Sequence, residues 1–431
     1  MREVLILGAG RVSAPLIRYV RALPDTRVTV ADSREGAADV TLDVTDAQAL
    51  SEAIAGKQLV VSMVPPTFHP MVARPCLDHG AHLVTTSYTS PEIRAFDEEA
   101  RDKGLLILME CGEDPGIDHM STKRLIDGIH DEGGTIDAVR MYCGGLIDWA
   151  ANRNPFHYKF SWSPKGVFLA ARADGIYLEN GEAIRKPGGP DLFRDPGFVE
   201  IPGAGTFETY PNRDNRIYPG LYGIPHVRSF YRGLLRFPGW CSMMRVLGEL
   251  GFFELEPEED FRGTTYAGAL RRRLGLGDAD ALRPAIAQRL GLSPDDNALA
   301  RLAWAGLFDD APVEIERGAL MDALVARLER KLPYEEGERD MILLHHEIDA
   351  TIDGKKQRHL ATLIRTGDPH PGETAMARAV GYPAAIAAEL VLEKRTDLTG
   401  VHIPMAPEIY GPILDGLAKL GIEFDESVVP A

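Results

Sequence analysis

A chain of 431 residues with 45% hydrophobic and 26% charged side chains is globular in composition but too long for one core, so two or three domains are expected. The formal charge of −17 excludes nucleic acid as an expected partner and requires local Arg and Lys to hold any anionic small ligand. Cys76, Cys111, Cys143 and Cys241 form no C-x-x-C pair, zinc spacing or disulfide framework, so no metal is expected and a reducing, cytoplasmic setting is.

Residues 4–7 (VLIL) are a short apolar run ending in glycine, which reads as a strand covered on both faces and not as a signal peptide. Residues 27–31, 39–44, 59–64, 81–86 and 105–108 read likewise. Helical patterns at 13–23, 46–55, 70–79 and 91–103 lie between them, the last two with Pro near the start. This alternation predicts a parallel, doubly wound sheet. Beyond residue 118 strands, Gly/Pro turns and aromatics mix, with a strand at 135–143 and a loop at 186–205. Apolar residues at helical spacing follow at 267–274, 280–290, 295–307 and 313–331. Strands at 341–348 and 359–365, an Ala-rich helix at 373–392 and a helix at 406–420 close the chain. No apolar run is read as a membrane span, and no membrane partner is expected.

The fold class expected is α/β: a Rossmann-type doubly wound parallel sheet, a second α/β substrate domain and a small inserted helical domain. The boundaries are 1–117 with about 371–400 for the dinucleotide-binding domain, 118–253 with about 334–370 and 401–431 for the substrate domain, and 254–333 for the insert.

Gly8-Ala9-Gly10 follows the first strand and opens a helix. The first glycine permits a tight turn, the second lets backbone approach a pyrophosphate, and the helix start offers N–H groups. The third glycine of the fingerprint is replaced by Ser13, and such a turn is also an ordinary strand–helix connection. Asp32 ends the second strand, where an acid meets ribose hydroxyls; its plain alternative is to cap the next turn. Gly8, Gly10, Arg11, Val12, Asp32, Ser33, Arg34, Asp43, Ser62 and Met63 form the expected cofactor site. The Asp32 carboxylate would repel a 2′-phosphate, which leans the choice to NAD, while Arg34 keeps NADP open.

Six strings follow the fifth strand in order. They are Thr85-Thr86-Ser87-Tyr88, Gly112-Glu113-Asp114-Pro115-Gly116-Ile117-Asp118-His119, Tyr142-Cys143-Gly144-Gly145-Leu146, Tyr158-Lys159-Phe160-Ser161-Trp162-Ser163, Tyr210-Pro211-Asn212-Arg213-Asp214 and Arg232-Gly233-Leu234-Leu235-Arg236. Here the chain resembles the saccharopine dehydrogenase family, in its glutamate-forming branch, also called saccharopine reductase. Residues 374–392 and 401–410 resemble it too. The resemblance implies NAD(P)-dependent oxidation of a secondary amine to an imine, addition of water, and collapse to glutamate and 2-aminoadipate 6-semialdehyde, a step of lysine metabolism. Tyr88, Asp114 and Cys143 match the family's ionisable positions at the reacting centre. Arg213 and Arg236 match positions that bind substrate carboxylates, with Ser87, Tyr88, Asp114 and Leu235 beside them.

Plainer roles exist for each. Asp114-Pro115 is a common helix start, Tyr88 a packed loop aromatic and Cys143 a small buried hydrophobe. Arg228 and Arg232 are as readily surface charges as ligand contacts. His119, His345 and His346 lack metal-ligand spacing, so a capping Asp118 and packed histidines are expected. Glu113, Leu234 and residues 146–149 depart from the family pattern, which leaves open a related imine, such as a carboxylated polyamine precursor, or a nucleotide-sensing homologue without catalysis. A small amino-acid substrate is the expected partner, and a homodimer the oligomer considered.

Overall fold

The computed structural model describes residues 1–278, 280–368 and 373–430. Contacts divide the chain into two compact units, Met1–Asp137 with Gly220–Pro225 and Asp340–Ala431, and Ala138–Pro219 with His226–Arg339. The partition differs from the expected boundaries: residues 340–368 and 401–430 fall with the nucleotide segment. The boundary expected at 370–371 lies outside the described residues.

The first unit holds a seven-stranded parallel sheet. From one edge it runs Gly400–His402, Leu106–Leu108, His82–Thr85, Leu59–Ser62, Arg2–Leu7, Thr26–Asp32 and Val40–Thr41. The order turns back on either side of Arg2–Leu7, so a crevice opens beyond the carboxyl ends of the central strands. The central strands are mostly apolar because helices cover both faces; Leu59–Ser62 is buried at every position.

The Ala-rich helix Ala375–Leu392 is long and apolar enough to cross a membrane, contrary to the expectation of no such run. Thirteen of its 18 residues are buried in the protein, so it is built as a core helix. It packs on Ala14–Ala22 through Gly381, where a side-chain carbon would sit 3.0 Å from the Leu16 nitrogen and 3.2 Å from the Val12 carbonyl. Gly381 thus permits the close approach of the two helices at the start of the first one. Ser13 is buried and its hydroxyl donates to the Gly10 carbonyl at 2.8 Å. The same unit carries the hairpin Asp340–Ile352 and Lys355–Thr366, with Asp425–Pro430 antiparallel along it.

In the second unit Gly197–Ile201, Gly205–Pro211 and Ser229–Arg236 run antiparallel, and Ser229–Arg236 pairs in parallel with Thr135–Ile147. The expected loop at 186–205 therefore contains a strand. Helices Tyr266–Leu274, Leu282–Leu290 and Asn297–Trp304 stand where helical spacing placed them, while the last, expected from 313, is Leu320–Lys331, with the short strand Arg317–Gly318 before it. They share one apolar core with Tyr158, Phe160, Tyr210 and Trp240 rather than forming a core of their own.

Candidate active site

The nucleotide turn is built from strand ends. Gly8 sits at φ +99, and a side chain there would meet the Met63 backbone at 3.2 Å, so only glycine fits. Gly10 has open space beside it, and the helix Ala14–Ala22 starts four residues on. This is a cradle with room for a pyrophosphate against backbone. Arg11 is exposed beside it and Val12 half-buried.

Asp32 has a different immediate task from the one its position implies. Its carboxylate accepts from the Ala9 amide at 2.8 Å, the Arg34 amide at 2.9 Å and the Arg34 guanidinium at 2.9 and 3.2 Å. The Arg34 contact leads in holding its carboxyl at about 2. Arg34 also donates to the Ala9 carbonyl at 2.8 Å while remaining exposed, so a guanidinium lies against the turn. Ser33 follows Asp32 at the strand end, exposed. Asp43 accepts from the amide and hydroxyl of Thr45, a local turn on the surface. Ser62 is fully buried, and its hydroxyl turns inward to His69.

Tyr88 and Asp114 are brought together: the phenol donates to Asp114 Oδ1 at 2.5 Å. The two loops that carry them are stitched side by side. The Cys111 amide bonds the Thr85 carbonyl at 3.0 Å and the Glu110 amide the Ser87 carbonyl at 3.2 Å. Glu110, in the left-handed region at φ 63, reaches back to take the Thr89 amide at 3.0 Å and hydroxyl at 2.9 Å. Its other oxygen lies 3.2 Å from His119 Nε2, and His119 Nδ1 meets the Tyr222 hydroxyl at 2.6 Å. Burial alone would raise the Glu110 carboxyl; the His119 and Thr89 contacts outweigh it and lower it. Asp114 does not cap the following helix. Gly116 takes that position, and Asp118 accepts its amide at 2.7 Å.

Cys143, in the second unit, is buried and lies in register with Leu234 on the neighbouring parallel strand. Side chains alternate along a strand, so Cys143 shares its face with Arg232, Leu234 and Arg236. Leu235 points to the opposite face and is fully buried, so its side chain is part of the packing behind Arg236. Arg236 is 4% exposed, with its guanidinium 5.4 Å from the Tyr158 ring and 5.3 Å from the Trp240 ring. Its Nη1 donates to the Leu235 carbonyl at 2.7 Å, and its buried Nε has no partner among the described residues. A buried cation without a carboxylate beside it is costly, which suits an anionic ligand.

Arg213 is exposed at φ 62 on a turn that Asn215 holds. Asn215, fully buried, donates to the Asn212 and Arg213 carbonyls at 2.8 and 3.2 Å and accepts from the Arg232 amide at 2.5 Å. Arg232 is not a surface charge: it is buried with its guanidinium 4.7 Å from the Tyr218 ring. Arg228 is exposed and bonds the Asn180 carbonyl. His345 and His346 part company, one to Thr362 and the other to Ser121, and no group of three metal-ligating side chains gathers among the described residues.

Sequence reasoning missed His69, Glu110 and Asn215. Glu110, two residues before one quoted string, and Asn215, directly after another, stood near a signal; His69 did not.

Sheet order, glycine turn and a tyrosine–aspartate pair beyond the strand ends together define an NAD(P)-dependent oxidoreductase. Residues 4–108 match the family model described as saccharopine dehydrogenase NADP binding domain, and residues 112–422 the saccharopine dehydrogenase C-terminal domain. The chain belongs to the saccharopine dehydrogenase family. It is 34% identical over 452 residues to the saccharopine dehydrogenase [NADP(+), L-glutamate-forming] of Schizosaccharomyces pombe, covering 100% of this chain and 99% of that one. Identity to the Saccharomyces cerevisiae protein of the same name is 36% over 448 residues, 99% of each. A solved apo structure of saccharopine dehydrogenase (L-Glu forming) from Saccharomyces cerevisiae superposes with TM-score 0.87 over the full length of both chains at 34% identity.

Proposed function

We propose that this chain interconverts saccharopine and water with glutamate and 2-aminoadipate 6-semialdehyde, with NADP as the nucleotide. The observation that carries the reading is the Tyr88–Asp114 hydrogen bond in loops following the strand ends of a nucleotide-binding sheet, in a chain similar over its whole length to two glutamate-forming enzymes.

The lean to NAD is withdrawn. It treated Asp32 as a free carboxylate, whereas Arg34 neutralises it and lies on the turn, where a 2′-phosphate would find a guanidinium. The named relatives and the matching nucleotide domain favour NADP as well.

A bound nicotinamide supplies the acceptor for the hydride that leaves the lysine-derived carbon beside nitrogen. Asp114, held as an acceptor by the Tyr88 phenol, takes the proton that the amine loses as the C=N bond forms. Handing that proton back to the imine nitrogen frees the Asp114 carboxylate to draw a proton from the water whose oxygen adds to that carbon. Return of that proton to nitrogen lets the C–N bond break, leaving the aldehyde on one product and the amine on glutamate. Tyr88 orients Asp114; Cys143 lies on the strand face that carries Arg236. Arg213, Arg236 and Ser87 bind carboxylates of the substrate.

The test follows reduced-nicotinamide absorbance with purified protein, saccharopine and either nucleotide. Turnover faster with NADP, and a loss of about a hundredfold or more in Asp114→Asn, are expected. No turnover with saccharopine, or an Asp114→Asn protein as fast as the parent, would reject the assignment. Amino-acid semialdehydes paired with amine donors separate the related-imine reading.

A further inference from the structure

Ser62 and Thr85 are register partners at the carboxyl ends of adjacent parallel strands, and Ser87 lies two residues beyond Thr85, beside Tyr88. One imidazole serves all three hydroxyls. His69, first residue of the helix His69–His79 and 1% exposed, has Nδ1 3.2 Å from Ser62 Oγ, and Nε2 2.8 Å from Ser87 Oγ and 3.0 Å from Thr85 Oγ1. The Ser87 amide is tied to the same cluster through Thr85 Oγ1 at 3.3 Å.

Burial holds the ring neutral by lowering its proton affinity to about 4, so it has one N–H and one lone pair for three hydroxyls. With the proton on Nδ1, Ser87 and Thr85 would compete to donate into a single lone pair at Nε2. With the proton on Nε2, one N–H is shared between two acceptor oxygens, a common arrangement, and Ser62 donates to Nδ1. Only the second arrangement satisfies all three contacts. It also leaves the Ser87 hydrogen free to point away from the ring.

We propose that His69 is a positioning residue that carries its proton on Nε2 and thereby makes the Ser87 hydroxyl a donor to a carboxylate of the substrate. This rests on the reading of Ser87 and Tyr88 as substrate-facing and of the substrate as a polycarboxylate.

Two measurements test it. The first is the nitrogen spectrum of the full chain labelled with 15N-histidine, with the His69 signals assigned by their loss in His69→Gln. A protonated Nε2 and a bare Nδ1 are expected; the opposite tautomer overturns the proposal whatever the enzyme turns over. The second is a double-mutant cycle with saccharopine and NADP. His69→Leu and Ser87→Ala are each expected to raise KM for saccharopine on the order of tenfold, with KM for NADP changed less than about twofold. The double variant should be no worse than Ser87→Ala alone, because His69 acts through Ser87. His69→Gln, whose amide can still donate, should recover part of the loss. Losses that multiply, or an unchanged KM in His69→Leu, overturn the proposal. If His69→Leu does not fold, His69→Gln takes its place in the cycle, where any loss it shows must vanish in the Ser87→Ala background. Failure of the parent to use saccharopine sinks the substrate reading, and the tautomer then decides the His69 assignment alone.

Discussion

Arg34 lies against the nucleotide turn through the Ala9 carbonyl and holds Asp32 by its guanidinium. Its replacement by Ala separates propping the turn from binding a phosphate. One lost charge-assisted bond is worth roughly 1.5–3 kcal/mol, so NADP should bind about tenfold or more weakly while NAD changes little. Titration of each nucleotide against intrinsic fluorescence measures this, and equal losses for both would assign Arg34 to the turn alone. His69 makes a separate prediction about stability. Its folded value of about 4 lies below the usual 6.5, so between those pH values the unfolded chain holds more protons. Stability therefore falls as pH drops from 6.5 to about 4 and loses nothing more to this group below that, by roughly 3 kcal/mol in all. His69→Gln should flatten that slope in urea midpoints taken across the window; a slope as steep as the parent's would show that the imidazole is not held neutral. At this scale the strings that carry Tyr88, Asp114 and Arg213 were legible because each runs over several residues. His69 was not, since a lone His carries no spacing and its partners lie in other segments; Asn215 adjoins a quoted string, but its bond to the Arg232 amide joins a strand that the string does not show.

Elements were legible wherever burial imposes a period. Continuous apolar runs marked the central strands, and three- and four-residue spacing marked the later helices. Short edges escaped: Gly400–His402 is three residues long, and only its pairing with Leu106–Leu108 makes it a strand. The helix expected at 91–103 is two, Pro91–Arg94 and Asp97–Asp102. The close crossing of Ala375–Leu392 on Ala14–Ala22 belongs to this scale too. Gly381→Ala would place a methyl group against the backbone of the first helix, so about 1–3 kcal/mol of destabilisation is expected in chemical denaturation. Weaker nucleotide binding should accompany it, since the displaced helix follows the Gly8–Gly10 turn. A variant as stable as the parent would mean that the crossing has slack.

For the whole molecule, the charge of −17 opposes a substrate with three carboxylates. Screening is weak at 0.01 M salt and reaches about 10 Å at 0.1 M, so KM for saccharopine should fall over that range while kcat holds steady. A steep rise instead would mean that the arginine field dominates at long range. The order of the main strands and helices, the reaction class and the strings that carry Tyr88 and Asp114 were determined by the sequence alone, because periodicity and contiguous motifs are local properties of a chain. Tertiary structure decided the rest: Arg34 neutralising Asp32, a glycine on a distant helix letting it cross close to the first helix, the later helices sharing a core with a sheet, and a histidine joining three hydroxyls. Each depends on groups far apart in sequence meeting within hydrogen-bond or van der Waals distance, and the linear order of residues does not encode those distances.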